Sequence, residues 1–285
     1  GDTLTLAQAF DSGFDHVALC LGAGRPNGLA IPKDVAKGVW PAATFLKELH
    51  LSEATQKNGF TNLTIRLPIL VIGGGLTAVD AATEALAYYP VQVEKFLKRR
   101  EEQGTLPSSL SEAEGEIEQE FLSHAHSLRR GDRSFLEKAS TIVYRKRYQD
   151  SPSYRLNAQE LELALKEGVI FFENATPHEI KIDRYGSIES LAVETPEGVQ
   201  HLACRTLLIA TGTHPNTVLE QEGLEFKASG EDVLLSYKGE EKVSFFGDLH
   251  PIYQGDVVKA MASVKKGYPK ICEALLKKAL TSSGN

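Results

Sequence analysis

The sequence predicts an α/β fold with a mostly parallel sheet, and three observations carry that prediction. Short apolar stretches that are typical of buried strands alternate with helix-like stretches along the chain. A cluster of glycines at 73–75 separates one such strand from the following helix. Three short segments of alternating polarity, "HEIKID", "SIESLAVE" and "VQHLACR", are joined by turn residues and predict a β-meander.

The elements can be assigned in order along the first half of the chain. Phe14 to Gly24 predicts a buried strand that ends in a glycine turn, and Pro41 to Leu51 predicts a helix with proline in its first turn. Ile69 to Ile72 predicts a strand, and Leu76 to Tyr88 a helix of small and apolar residues. The next stretch, 91–138, is charged and helix-prone, and we expect it to be an insertion of exposed helices outside the nucleotide fold.

The second half returns to strands and helices in alternation. Ser140 to Arg147 predicts a strand, Leu156 to Val169 an amphipathic helix, and "VIFFEN" a further strand before the meander. After the meander, "TLLIATGTHPN" predicts a buried strand that ends at Gly212. "KVSFFGD" predicts a strand, and Val257 to Leu280 a long helix.

Composition limits the classes of function. The 285 residues are 42% hydrophobic and 24% charged, proportions typical of a globular chain of about two domains. The net charge of −7 argues against a nucleic-acid or anionic-membrane partner, and no apolar run approaches the ~18 residues of a membrane span. Cys20, Cys204 and Cys272 are isolated, which fits a reducing, cytoplasmic location and inert thiols, and no metal-ligand spacing is present.

The glycine cluster predicts a dinucleotide site. Gly73, Gly75 and Ala78 occupy the three fixed positions of G-x-G-x-x-A between a strand and a helix. Leu76 and Thr77 are the two variable residues between Gly75 and Ala78. The first glycine permits a tight turn, the second lets the backbone approach a pyrophosphate, and the small third residue lets the helix pack close to the strand. The alternative is an ordinary strand–helix turn, but the order strand, turn, helix favours the dinucleotide.

The choice of nucleotide depends on the end of the next parallel strand. A site specific for NAD places an acidic residue there, about 20 residues beyond the glycines, and Glu94 lies near that distance. The segment around Glu94 lacks turn residues, so we interpret Glu94 as a surface residue. "TIVYRKR" is the better second strand, and Arg145, Lys146 and Arg147 at its end would suit the 2′-phosphate of NADPH. The alternative interpretation is a basic surface loop.

Several motifs occur together in one order: "VIGGGLTAVDAA", "VYRKR" with its following helix, "LLIATG", and "FFGD" with "GDVVKAMASVKKG". In that order they resemble the small subunit of NADPH-dependent glutamate synthase, within the pyridine nucleotide-disulfide oxidoreductase superfamily of flavoproteins. The resemblance covers nearly the whole chain apart from the helical insertion. It implies an NADPH domain nested in an FAD domain, with "FDHVALCLGAGRPN" and "TLLIATGTHPN" as the crossing segments.

The resemblance also implies domain limits and a flavin site. Residues 1–45 and 206–285 would belong to the FAD domain, and 46–205 would form the NADPH domain with its insertion at 91–138. Asp248 after Gly247 would hydrogen-bond the ribityl chain of FAD, and the helix starting near Gly255, Asp256 and Val257 would point its N-terminus at the flavin ring. Gly212 would end the second crossing strand.

Two features depart from the family. Its FAD domain opens with its own strand and G-x-G-x-x-G, and nothing before Gly22 supplies them, so we expect this FAD domain to be incomplete and the fingerprint to lie outside this sequence. The loop "GDLHPIYQGD" is longer than the family's usual loop, so the resemblance assigns no contacts to His250 and Tyr253.

The expected activity is transfer of electrons from NADPH through FAD to an acceptor domain or subunit. No catalytic side chain is assigned, since hydride transfer itself needs none. One alternative is a nucleotide-binding sensor or scaffold without redox activity, which would lack the glycine motif upstream. Another is an NADP-dependent dehydrogenase without flavin, which "FFGD" and its following helix argue against.

Overall fold

The computed structural model describes residues 4–103, 110–227, 229–255 and 257–282. The described residues form six α-helices, which are α1 Leu6–Asp11, α2 Ala42–Leu51, α3 Leu76–Gln103, α4 Glu112–Arg129, α5 Pro152–Lys166 and α6 Val257–Ser282. They also form strands, which are β1 Val17–Leu19, β2 Arg25–Pro26, β3 Val39–Pro41, β4 Ile69–Ile72, β5 Ser140–Val143, β6 Ile170–Phe172, β7 Thr176–Ile182, β8 Ile188–Thr195, β9 Gly198–Ala203, β10 Thr206–Ile209, β11 Thr213–His214, β12 Leu234–Tyr237 and β13 Glu240–Phe245. The predicted α/β class is confirmed.

The chain forms two compact units, one inserted into the other. The inserted unit comprises Pro26–Gly212, and the outer unit comprises Gly1–Arg25 and Thr213–Asn285. These borders differ from the predicted limits at 45/46 and 205/206. The difference arises because β3 and β10 pair with each other in the same sheet as β4, so both belong to the inserted unit.

A parallel sheet of five strands forms the centre of the inserted unit. Its order is β3-β10-β4-β5-β6, and every neighbouring pair is parallel. All four residues of β4 are buried, which accounts for its unbroken apolar sequence, since both faces of a parallel sheet are covered. Ile69 and Val71 contribute to a core shared with the helices, whereas Leu70 and Ile72 contribute to a second core shared with the meander β7-β8-β9.

Helix α3 corrects one sequence-based expectation. The predicted helix ended at Tyr88, but α3 continues through Pro90 to Gln103. Beyond the proline, Val93 and Leu97 are buried in the helix-side core, one turn apart on the same face. This added burial stabilises the continued helix, although the sequence there is rich in charge.

Helix α4 corrects a second expectation, that 91–138 is peripheral. Phe121 and Ala125 are buried in the same core as α3, and the rings of Tyr89 and Phe96 lie edge-on to Phe121. Arg66 pairs with Glu120 at 2.7 Å, and the Tyr89 hydroxyl donates to the same carboxylate at 3.1 Å. The inserted helices therefore pack as part of the nucleotide fold.

We expect Phe121→Ala to lower the free energy of unfolding by about 3–5 kcal/mol, because the buried ring leaves a cavity. Chemical denaturation followed by circular dichroism measures the change. The matched control is Phe60→Ala, since Phe60 is 96% exposed and its loss should cost less than about 0.5 kcal/mol. Equal effects for the two variants would show that α4 is peripheral after all.

The outer unit has a smaller sheet of order β1-β13-β12, in which β1 and β13 are parallel and β12 is antiparallel. Leu19, Val243 and Phe245 are buried in its core. Helix α6 approaches closely at Gly267, where a Cβ atom would lie 2.7 Å from Phe246 and Val233 side-chain atoms. The long C-terminal helix predicted from 257 to 280 is confirmed. No helix in the described part of the chain is long and apolar enough to cross a membrane.

Candidate dinucleotide site

The first glycine of the motif is required by a close approach of two backbones. Gly73 follows β4 with φ of +154°, and its N–H donates to the Val143 carbonyl at 3.1 Å. A Cβ atom on Gly73 would collide with the carbonyl group of Ala210, 2.9 Å from its carbon atom. The first residue of the loop therefore lies in close contact with the ends of both β5 and β10, as expected of a tight turn.

The other two glycines have different surroundings. Gly74 is buried, and a Cβ atom there would overlap the ring of Tyr144. Gly75 has nothing within 4 Å of its Cβ direction. Within the described backbone, the N–H groups of Gly74, Gly75, Leu76 and Thr77 have no carbonyl acceptor. Unpaired donors at the start of a long helix are a setting that favours an anion.

The small third residue has the predicted packing role. Ala78 is fully buried, and its N–H donates to the Gly75 carbonyl at 3.0 Å. Ala81, Ala82 and Ala85 are also fully buried on the same helix. This run of small side chains lets α3 pack close to β4 and holds its N-terminus at the glycine loop.

The predicted second strand is confirmed. Strand β5 lies parallel and next to β4, so their carboxyl ends meet at the same edge of the sheet. The side chains of Arg145, Lys146 and Arg147 follow β5 and are exposed. Arg147 pairs with Asp150 at 2.9 Å, which raises the pKa of the guanidinium, whereas no described acidic group pairs with Arg145 or Lys146. These two cations are the ones available to a ligand. Glu94 is exposed on α3, in agreement with its interpretation as a surface residue.

Sequence reasoning missed two contacts that hold the glycine loop. The ring of Tyr144, the residue after β5, packs on Gly74. The N–H of Ser153, in the first turn of α5, donates to the Gly74 carbonyl at 2.8 Å. Ser151 followed by Pro152 is a helix-start signal that could have located α5 correctly, but the contact with Gly74 is tertiary and has no local signal.

A carboxylate of α3 lies close to the loop in sequence. The pKa of Asp80 is raised to about 6, first by burial, then by the charge of Glu160 and a hydrogen bond with it, and then by the charge of Glu84. His50, which is 2.9 Å from Glu84, opposes the shift. Glu160 is itself bonded to Asn157, where α5 has a non-helical φ of −154°. Asp80 of α3 and Glu160 of α5 therefore interact where the two helices pack against each other.

We expect the free energy of unfolding to depend on pH through Asp80. A raised folded-state pKa favours the protonated form, so the stabilisation is present below pH 3.8 and is lost as the pH rises through about 6. Relative to wild type, Asp80→Asn should gain stability between pH 4 and 7, by about 1 kcal/mol after allowance for solvent screening. Denaturation at several pH values measures the difference, and Glu94→Gln on the same helix is the control. A difference that stays constant with pH would contradict the Asp80–Glu160 coupling.

Gly212 is the last residue of the inserted unit, and the strand predicted to end there ends earlier, at Ile209. Gly212 follows β10 with φ of +95°, and its carbonyl accepts from the Asn27 N–H at 3.0 Å. The Asn27 side chain also donates to the Thr211 carbonyl at 3.2 Å. The observed role of Gly212 is thus to join two backbone segments of the inserted unit.

The proposed flavin residues lie in the outer unit. Gly247 has φ of +60° and donates its N–H to Ser263 Oγ at 3.0 Å, close to Ala260 of α6. Asp248 Oδ1 accepts from the Gly255 N–H at 2.8 Å, which closes the loop between them. Val257 begins α6 and is exposed, and Asp256 lies outside the described residues.

His250 and Tyr253 hold the long loop from inside. His250 is fully buried, with Nε2 2.9 Å from the Asp232 carbonyl and Nδ1 3.2 Å from the Ile252 N–H. Its ring lies 4.8 Å from both Phe245 and Tyr253. These contacts give both side chains a packing role within the outer unit.

The cysteines offer no close pair. All three are free thiols; Cys204 is buried, whereas Cys20 and Cys272 are exposed. Of the three thiols that we expected to be buried or inert, Cys204 alone is buried. Burial raises the pKa of the Cys204 thiol to about 12, and its S–H donates to the Thr206 carbonyl.

We expect a thiol reagent such as Ellman's reagent to modify two cysteines quickly and the third only after unfolding. Exposed thiols form the reactive thiolate, whereas the buried Cys204 cannot. Counting the released thionitrobenzoate before and after denaturant measures this. The variant Cys204→Ala should lose only the slow fraction, and three fast thiols in the native protein would contradict the buried position of Cys204.

Together, the nested units, the parallel sheet and the glycine loop define a dinucleotide-fold protein. Within that class, residues 2–267 match the family described as pyridine nucleotide-disulphide oxidoreductase, and the chain belongs to that family of flavoprotein NAD(P)H oxidoreductases. The sequence-based resemblance to this superfamily is confirmed. The narrower resemblance to the glutamate synthase small subunit stays a prediction.

Known proteins are similar to this chain over more than nine-tenths of its length, and these proteins are themselves longer. An uncharacterised protein of Rickettsia prowazekii (strain Madrid E) is 39% identical over 287 residues, which cover 97% of this chain and 40% of that protein. The chain therefore spans less than half the length of that relative. The solved structure of Mycobacterium tuberculosis FprA in complex with NADPH has a TM-score of 0.61 at 12% identity, over 96% of this chain and 66% of that chain. Lactococcus lactis thioredoxin reductase has a TM-score of 0.53 at 17% identity, over 92% and 66%. At these identities the two likenesses show the fold.

Proposed function

We propose that the chain is part of an oxidoreductase that takes electrons from NADPH and passes them through FAD to an acceptor domain or subunit, in the manner of the glutamate synthase small subunit. One observation carries the proposal. The backbone donors of the glycine loop follow β4, and Arg145 and Lys146 follow the adjacent parallel strand β5, at the same edge of the sheet. Among the described residues, no carbonyl accepts from these donors and no acidic side chain forms an ion pair with these two cations. A dinucleotide with a 2′-phosphate has anionic groups for both.

The glycine loop supplies the pyrophosphate position. Neighbouring protein atoms occupy the space where a Cβ atom of Gly73 or Gly74 would lie, whereas the corresponding space at Gly75 is free of protein atoms. The backbone N–H groups from Gly74 to Thr77 can therefore donate to phosphate oxygens, and the N-terminus of α3 adds a favourable dipole. Buried Ala78 keeps α3 close to the sheet.

The basic residues after β5 supply specificity for NADPH. Arg145 and Lys146 are exposed and can pair with a ribose 2′-phosphate, and Arg145 can do so in bidentate geometry. Arg147 forms an ion pair with Asp150 and would therefore contribute less to binding of the 2′-phosphate. The four residues that directly follow β5, Tyr144 to Arg147, include no Asp or Glu, and the nearby Asp150 is paired with Arg147.

The outer unit would hold the flavin half of FAD. Asp248 keeps one carboxylate oxygen outside its bond to Gly255, and that oxygen can accept from a ribityl hydroxyl. Gly247, Gly255, Asp256 and Val257 would form the approach to the N-terminus of α6, where negative charge on a reduced flavin is favoured. Gly212, the last residue of the inserted unit, would mark the crossing between the FAD and NADPH parts. The nicotinamide and flavin would supply the hydride chemistry, and these residues would orient them.

We expect the wild-type chain to bind NADPH at least ten-fold more tightly than NADH, and Arg145→Ala/Lys146→Ala to lose that preference. A charged hydrogen bond contributes about 1.5–3 kcal/mol, which is about a ten-fold change in affinity or more. NADH affinity should change little, because NADH has no 2′-phosphate. Isothermal titration calorimetry with both nucleotides measures the ratio.

Arg147→Ala is the matched control, since that guanidinium already pairs with Asp150. It should leave the NADPH preference within about two-fold. If NADH binds as tightly as NADPH, the assignment of the basic residues is wrong. If the chain binds NADPH but the full-length protein shows no NADPH-dependent reduction of FAD, the result would favour the alternative of a nucleotide-binding sensor or scaffold.

A further inference from the structure

The glycine loop is held from two sides by residues that do not belong to the motif. On one side the Tyr144 ring covers Gly74 so closely that a Cβ atom there would come within 2.8 Å of Cζ and closer still to two other ring atoms. On the other side the buried Ser153 donates its N–H to the Gly74 carbonyl at 2.8 Å. The middle residue of the motif is therefore fixed by tertiary contacts.

These contacts determine where the loop directs its donors. In a trans peptide the carbonyl of one residue and the N–H of the next point in opposite directions. Because Ser153 holds the Gly74 carbonyl toward α5, the N–H of Gly75 must point away from α5. The Gly75 Cβ direction is also free of protein atoms.

Tyr144 is itself fixed by its backbone. Its N–H donates to the Phe172 carbonyl at 2.9 Å, and its carbonyl accepts from the Ala175 N–H at 3.0 Å. Its hydroxyl makes one long bond, 3.4 Å, to the Asp150 carbonyl. The ring, more than the hydroxyl, is therefore the part that acts on the loop. The next residue in the chain is Arg145, so one rigid backbone segment carries both the ring and the cation.

We propose that Tyr144 is a positioning residue that sets the distance between the phosphate-binding loop and the 2′-phosphate-binding cation. This inference rests on the proposed NADPH site. The ring fills the space above Gly74 and the backbone of residue 144 anchors Arg145, so the pyrophosphate and the 2′-phosphate of one ligand meet groups in a fixed arrangement. Glycine at 74 is required because any side chain would displace the ring.

The test compares Tyr144→Phe with Tyr144→Ala by calorimetry for both nucleotides. Tyr144→Phe keeps the ring and should retain NADPH affinity and the NADPH-over-NADH ratio within about two-fold. Tyr144→Ala should weaken NADPH binding at least ten-fold and reduce the ratio at least five-fold. A residue with a merely structural role would weaken both nucleotides without changing the ratio. Tyr144→Leu, which keeps apolar bulk, replaces the alanine variant if that variant does not fold.

The glycine provides an independent test of the same contact. Gly74→Ala should disrupt binding in wild type, because the new methyl group meets the ring. In the Tyr144→Ala background the same substitution should add little, so the double variant should bind about as well as the weaker single variant. Additive losses, a ratio unchanged in Tyr144→Ala, or equal damage from Tyr144→Phe and Tyr144→Ala would each overturn the proposal.

A measurement without ligand separates this proposal from the proposed function. The Gly73 amide is bonded to Val143, the residue before Tyr144, and its hydrogen exchange reports on the loop. Exchange should accelerate at least ten-fold in Tyr144→Ala and remain unchanged in Tyr144→Phe. If wild type binds neither nucleotide, the proposed function fails, while the exchange rates still decide whether Tyr144 positions the loop. Unchanged exchange in a folded Tyr144→Ala variant would exclude the positioning role.

Discussion

The close contact between Gly73 and the carbonyl of Ala210 is the constraint on which the inserted unit depends. The residue that follows β4 must be glycine, because the chain passes there between the ends of β5 and β10 and a Cβ atom would collide with Ala210. Strand β4 is buried on both faces, so the first residue of the loop is held by the surrounding strands. Helix α3 must then begin directly above the sheet, and its buried alanines let it pack there. The placement of the unpaired N–H groups follows from this packing.

The family name includes disulphide chemistry, and the side chains of this chain do not support that part. Thiol–disulfide exchange needs two sulfur atoms within bonding distance and a reactive thiolate. The three thiols are unpaired, and the buried one, Cys204, bonds to a carbonyl in the sheet-side core. What the chain shares with the family is the nucleotide architecture. The proposed reaction therefore rests on the two nucleotide sites and not on cysteine.

Local patterns predicted the elements whose signal is local. The glycine motif, the strand β5, the meander and α6 each have a periodicity or a turn signature within a few residues. The continuation of α3 past Pro90 was missed because charge density was interpreted as exposure. In the structure, Val93 and Leu97 form a buried stripe, and the Lys95 ammonium donates to the Ala54 and Thr61 carbonyls. Such partners are distant in sequence, so composition alone could not reveal them. The contacts of Tyr144 and Ser153 with Gly74 were missed for the same reason.

The two proposed cofactor positions differ in how strongly their own residues support them. At the glycine loop, the donors from Gly74 to Thr77 have no carbonyl acceptor in the described backbone, so a ligand would satisfy groups that the fold leaves open. At Asp248, one carboxylate oxygen already closes a loop to Gly255, and His250 and Tyr253 are used in packing that loop. A loop end that is satisfied internally can persist without a ligand. The nucleotide site of the inserted unit is thus the stronger of the two proposals, and a flavin would have to add its hydrogen bonds to a loop that is already closed.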